Sequence, residues 1–209
     1  MKRAAFTFTL FTLLHSTLLA DDCIAYKTIP DVRISVPQWT KSVVQPSQPM
    51  DLLHGNVSAS FIESYNLRAT AEPVQGGYCV VLTGVDASVG YTDFLVQIDS
   101  RHRVGSCGYN VTLEHEDQHI AAHLTTIENA ARDIELAVDR AADGIMPIFV
   151  PQGGPTDAAL DRMEQELQTH PDIILMRQKI NAEQEIRNKK VDQHDDGSRL
   201  NKLCGPDFG

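Results

Sequence analysis

Apolar residues recur at helical spacing through the second half of the chain. They are Leu113, Ile120, Leu124, Ile127, Ala131, Ile134 and Val138. After a first step of seven residues, steps of four and three alternate, which places them on one stripe of a helix. Asn110 or Thr112 could cap the start of this helix, and Gly144 is a natural stop at its end. The pattern therefore predicts a long helix over residues 111–143.

Alternation with a period of two precedes this helix and predicts strands. Val32, Ile34 and Val36 alternate with Arg33 and Ser35, and Phe94, Val96 and Ile98 alternate with Leu95, Gln97 and Asp99. Residues 78–85 form another apolar run, and residues 86–90 resemble a turn. We therefore predict an antiparallel hairpin over residues 78–99, within a strand-rich part that spans residues 21–109.

The sequence after the long helix contains residues that are typical of the starts and ends of helices. Residues 144–155 are rich in Gly and Pro, Thr156 can cap a helix to about His170, and Pro171 can open another to about Val191. We predict a helical C-terminal part over residues 155–204. The expected fold class is α+β, with a small antiparallel sheet packed on the long helix.

The N-terminus has the pattern of a secretory signal peptide. Lys2 and Arg3 precede a largely apolar run over residues 4–19, and Ala20 precedes an acidic pair. We predict a signal peptide of bacterial appearance over residues 1–20, followed by a single domain over residues 21–209. The mature protein is expected in the periplasm or the medium, without a membrane anchor.

The net charge of the mature chain limits the classes of binding partner that it can have. Without Lys2 and Arg3, the chain has 16 basic and 28 acidic residues, a formal net charge of −12. Such an acidic protein is a poor candidate for binding nucleic acid or an anionic membrane.

The chain has four cysteines, which are Cys23, Cys79, Cys107 and Cys204. An even number in an exported protein predicts two disulfides, and three pairings are possible. We favour Cys107 with Cys204, which would tie the entry of the long helix to the end of the chain, and hence Cys23 with Cys79. Because no C-x-x-C spacing occurs, a structural cysteine-zinc site is not expected.

The long helix carries the string His115-Glu116-Asp117-Gln118-His119, an H-E-x-x-H motif. Four-residue spacing places the two imidazoles one turn apart on one side of the helix, where they can share a metal ion. A Glu after the first His can then act as the base for metal-bound water. A solvated face that carries His115, His119 and His123 is the structural alternative.

A third metal ligand must come from elsewhere, because a catalytic zinc typically has three protein ligands. His123 lies a rise of ~12 Å from His115 along the helix, which is too far to share one ion. We favour His194 as the third ligand, with Asp192 as the alternative and His102 as a further possibility.

The string, its lead-in Gly105-Ser106-Cys107-Gly108-Tyr109 and the predicted leader resemble small secreted bacterial H-E-x-x-H proteins of the zincin metallopeptidase type. The resemblance implies a zincin-like fold, Zn²⁺ as the cofactor, His115 and His119 as ligands, and Glu116 as the catalytic base. One such family ends in a Y-D-x-x-T-x-H-G string, whereas this chain has Asp192 and His194 without the T-x-H-G.

The expected function is that of a secreted zinc metallopeptidase that acts on a peptide or protein substrate through metal-activated water. Residues 91–99 are expected to form a sheet edge that holds the peptide as an added strand. Two alternatives remain open. One is a catalytically inactive periplasmic binding or scaffolding module with the same fold, and the other is a metal-binding protein without catalysis.

Overall fold

The computed structural model describes residues 23–50, 54–193 and 198–205. The predicted signal peptide, residues 1–20, and the favoured ligand His194 lie outside these ranges. In the described ranges, no helix is both long and apolar enough to cross a membrane.

A five-stranded sheet forms one layer of the described structure. Its strands are β1 (Asp31–Ser35), β2 (Thr40–Val44), β3 (Gly55–Val74), β4 (Gly77–Ile98) and β5 (Ile148–Pro151). The long strand β4 is central: β3 pairs with it along nearly its whole length, while β5, β1 and β2 follow one another along its other edge.

The predicted small antiparallel sheet is wrong. β1 and β2 run parallel to β4, whereas β3 and β5 run antiparallel to it, so the sheet is mixed and the fold is of the α/β type rather than α+β. Apolar alternation does not distinguish the two strand directions, because both expose alternate residues on opposite faces.

The predicted hairpin over residues 78–99 is also wrong, because β4 continues through the expected turn. Asp86 accepts a hydrogen bond from Arg68 of β3 at 3.1 Å. A Cβ at Gly84 would lie 2.3 Å from Nη2 of Arg68, and one at Gly90 would lie 2.8 Å from Pro37. Gly84 and Gly90 therefore make room for neighbouring side chains, and Asp86 binds one, within a continuous strand.

The prediction that residues 91–99 form a free sheet edge for peptide binding is also wrong. Residues 93–97 of β4 pair with β2 on one side and with β3 on the other. Both backbone edges of this segment are already paired, so it cannot accept a further strand.

A short 3₁₀-helix (Ile24–Tyr26) and four α-helices complete the described structure. The α-helices are α1 (Cys107–Gly144), α2 (Asp157–Gln168), α3 (Pro171–Gln193) and α4 (Ser198–Cys204). The two helices predicted after residue 155 are confirmed as α2 and α3. The long helix is confirmed, but it begins before residue 111, because Ser106 rather than Asn110 or Thr112 is its cap. The Ser106 hydroxyl accepts a hydrogen bond from the backbone N–H of Tyr109 at 3.2 Å.

The favoured cysteine pairing is confirmed. Cys23 is bonded to Cys79, and Cys107 is bonded to Cys204. The first bond attaches the N-terminal end of the described chain to β4, and the second attaches α4 to the first residue of α1. Arg199 of α4 reinforces this attachment through an ion pair of 3.1 Å with Glu114.

The main core lies between the sheet and α1, α2 and α3. α1 contributes Ile120, Ile127, Ile134 and Val138 of its predicted stripe to this core. A smaller cluster of Cys23, Cys79 and Val81 forms separately, because alternate residues of β4 face opposite sides of the sheet. The stripe fixes the rotation of α1, and this rotation directs His115 and His119 toward α3.

Candidate metal centre

His115 and His119 lie one turn apart on the side of α1 that faces α3. Their side chains are 14% and 12% exposed, so they are neither solvated surface groups nor fully enclosed. Their Nε2 atoms are 3.2 Å apart. The solvated helix face considered as the alternative is therefore not what the structure shows.

Asp192, near the C-terminal end of α3, completes a cluster with the two histidines. Its Oδ1 lies 3.1 Å from Nε2 of His119 and 3.6 Å from Nε2 of His115. In a tetrahedral site with ligand distances of about 2.0–2.1 Å, two ligand atoms are about 3.3–3.4 Å apart. The three observed separations bracket this value, so the His-His-Asp group can hold one metal ion.

The second nitrogen of His119 faces an amide on α3. Its Nδ1 lies 3.1 Å from the side-chain oxygen of Asn188, one helical turn before Asp192. Because an amide oxygen only accepts hydrogen bonds, this contact is a hydrogen bond in the tautomer that carries its proton on Nδ1. In that tautomer, the lone pair of Nε2 is directed to the side of His115 and Asp192, where a metal ion would bind.

His123 is a buried histidine that lies outside the His-His-Asp group. Its Nδ1 accepts a hydrogen bond of 2.6 Å from the amide nitrogen of Gln184, and its ring lies edge-on to Tyr91 at a centroid distance of 4.8 Å. The oxygen of the same amide accepts a hydrogen bond from the Tyr91 hydroxyl. Burial, with a smaller contribution from the nearby His119, lowers the pKa of His123 to about 4.

Glu116 is buried on the sheet side of α1 and is only 4% exposed. It packs against the first residue of β3: a Cβ at Gly55 would lie 2.6 Å from Oε1 of Glu116 and 2.6 Å from Cγ2 of Thr112. Only glycine fits this position without moving the carboxylate. Glu116 thus lies beside the metal-binding group in the chain, but it is not one of the three clustered side chains.

The remaining ligand candidates lie elsewhere or outside the described residues. The ring of buried His102 contacts His54, with Nε2 of His102 at 3.1 Å from Nδ1 of His54, and it is not part of the cluster. His194 falls in the undescribed segment 194–197. Among the described residues, Asp192 is therefore the third member of the group.

Sequence reasoning missed Gly55, Gln184 and Asn188. Gln184, Asn188 and Asp192 are spaced by four residues on α3, as His115, His119 and His123 are on α1. Such matched spacing indicates two helix faces that can meet along their length. Gly55 had no comparable signal, because its role arises from a contact with a residue far away in the sequence.

Comparisons of the chain with protein-family models, curated proteins and solved structures found no significant match.

Proposed function

We propose that this protein is a secreted zinc-dependent metallopeptidase that hydrolyses peptide bonds. In this proposal, His115, His119 and Asp192 bind Zn²⁺, and Glu116 is the general base. The observation that carries the proposal is the cluster itself, in which three potential ligand atoms lie 3.1–3.6 Å apart.

The donor set favours zinc over the hard cations. Two imidazole nitrogens and one carboxylate oxygen form a common catalytic zinc set, in which water occupies the fourth position. Calcium and magnesium prefer oxygen ligands throughout. The Asp192 side chain is 63% exposed, so this side of the cluster is accessible to water and to a peptide carbonyl.

The chemistry follows from the residues around the cluster. Zn²⁺ held by His115, His119 and Asp192 would lower the pKa of a water molecule and polarise a carbonyl group. Glu116 follows His115 on α1 and is buried, and as the general base it would take a proton from the water and pass it to the leaving amine. Asn188 and Gln184 hold the histidine face of α1 in place.

A metal-binding module without hydrolytic activity is the second candidate. The observation that favours it is the contact of Glu116 with Gly55, which commits the carboxylate to the sheet side of α1. The two candidates share the metal site and differ only in whether Glu116 reaches the reacting groups.

Secretion is part of the proposal. The two disulfides join distant parts of the chain and are typical of proteins that mature outside the cytoplasm. They agree with the signal-peptide pattern at residues 1–20.

The test compares wild type with Glu116→Gln and with the matched control Glu114→Gln, whose side chain is exposed. We expect one zinc per chain in all three proteins. Cleavage of an unstructured protein such as casein should fall by about 100-fold or more in Glu116→Gln, because loss of a general base costs about 10²–10⁴ in rate. Glu114→Gln should retain wild-type activity.

Two outcomes would contradict the peptidase proposal. If zinc is bound but Glu116→Gln cleaves as fast as wild type, Glu116 is not the base. If zinc is bound and the wild type cleaves no member of a diverse peptide library, the non-catalytic module is the better account.

A further inference from the structure

Asn188 occupies a position from which it can control how His119 binds a metal. Its side-chain oxygen is 3.1 Å from Nδ1 of His119, while Nε2 of the same ring points to the cluster. A neutral imidazole carries its proton on one nitrogen only, and the hydrogen bond at one nitrogen determines which.

The consequence for the metal site is direct. With the proton on Nδ1, the lone pair of Nε2 is available 3.1 Å from Oδ1 of Asp192 and 3.2 Å from Nε2 of His115. With the proton on Nε2, a metal ion would first have to displace it. Partners that orient a ligand histidine in this way typically contribute 10–100-fold to metal affinity.

Asn188 is itself held in register by its neighbours on α3. Gln184, one turn earlier, bonds to His123 and Tyr91, and Asp192, one turn later, contacts both cluster histidines. A single helix therefore supplies both the third ligand and the group that orients the second one.

We propose that Asn188 is a positioning residue that fixes His119 in its metal-binding tautomer. This inference rests on the proposed metal site. It assigns to α3 a function in metal affinity that is separate from supplying Asp192.

Two variants and a matched control test this role. Asn188→Ala removes the acceptor, Asn188→Asp retains one, and Asn181→Ala removes the same side chain from an exposed position of the same helix. Competition with a chelating dye should show a Zn²⁺ dissociation constant raised about 10–100-fold in Asn188→Ala. The dissociation constant of Asn188→Asp should be lower than that of wild type or within a few-fold of it. Asn181→Ala should have the dissociation constant of wild type.

A second readout does not need the metal. Long-range ¹H–¹⁵N NMR of the chelator-treated protein reports which nitrogen of His119 is protonated. Because Nε2 of the metal-free ring also faces the Asp192 carboxylate at 3.1 Å, we expect a relative shift: Nδ1 should carry the proton in a larger fraction of wild type and Asn188→Asp than of Asn188→Ala.

The results separate this inference from the metal site itself. If wild type binds zinc and Asn188→Ala binds it equally well, the positioning role is overturned and the metal site stands. Asn188→Ala could lose zinc affinity while Asn188→Asp loses as much and the tautomer of His119 does not change. The role of Asn188 would then be only structural, which also overturns the inference. If wild type binds no zinc, the proposed function fails together with the inference.

Discussion

The two halves of α3 contact the rest of the protein in different ways. In residues 171–180, Ile173, Met176 and Ile180 are at most 3% exposed and belong to the main core. Residues 181–193 contribute no buried side chain, and Ile186 is 50% exposed. This second half contacts α1 through Gln184, Asn188 and Asp192.

The difference indicates that the two halves of this helix have different roles. Burying an isoleucine side chain contributes about 1.5–3 kcal/mol, whereas a typical hydrogen bond contributes about 0.5–1.5 kcal/mol net. We therefore expect the apolar half to determine the free energy of unfolding and the polar half to determine metal affinity.

The largest expected effect is on stability, from a change in the apolar half. Ile173→Ala should lower the free energy of unfolding by about 2–5 kcal/mol, because it leaves a cavity in the core. Denaturant titration of the chelator-treated protein measures this loss. The neighbouring variant Ile174→Ala is the control, since Ile174 is 42% exposed and should lose little stability. Equal losses in both variants would contradict the anchoring of this half by burial.

The next effect is on metal affinity, from a change in the polar half. Asp192→Ala should weaken Zn²⁺ binding by about 100-fold or more, because the metal loses a ligand. Loss of a residue that only orients a ligand typically costs about 10–100-fold. Stability without metal should change by less than about 1 kcal/mol, since the Asp192 side chain is largely exposed. Gln193→Ala is the matched control on the same turn. Unchanged zinc affinity in Asp192→Ala would remove Asp192 from the site.

A smaller effect on stability is expected as the pH falls. It arises at His123 of α1, which contacts Gln184 in the polar half of α3. The pKa of folded His123 is lowered to about 4, below the usual value of 6.5, so the unfolded chain takes up a proton first as the pH falls. Stability should therefore decline between about pH 6.5 and pH 4. We expect this residue to contribute about 2 kcal/mol to the decline, after allowance for partial solvent screening.

His123→Gln isolates that contribution. Unfolding of the chelator-treated variant, compared with wild type from pH 7 to pH 4, should show a shallower loss of stability. The same slope in both proteins would mean that His123 is not a neutral core histidine.

The predictable features of this protein are those that depend on local spacing. The stripe on α1, the helices that follow residue 155 and the side-by-side arrangement of His115 and His119 all follow from a helical period. The burial of Glu116 and His123 also follows from it, because both lie between the histidine pair and the apolar stripe.

The features that could not be predicted depend on distant contacts. The parallel pairing of β1 and β2 with β4 leaves no trace in the alternation of either strand. Asp86 and Gly90 resembled a turn because their partners, Arg68 and Pro37, are remote in the sequence. Asp192 lies one residue beyond the expected end of α3 at about Val191, whereas the helix continues to Gln193 and brings Asp192 to the histidine pair, a contact with residues remote in the sequence.

The most direct test of the metal centre is anomalous diffraction at the zinc edge from crystals of the protein grown with Zn²⁺. We predict one strong peak within about 2.0–2.2 Å of Nε2 of His115, Nε2 of His119 and a carboxylate oxygen of Asp192. A peak at other side chains, or no peak near these histidines at saturating zinc, would contradict the account.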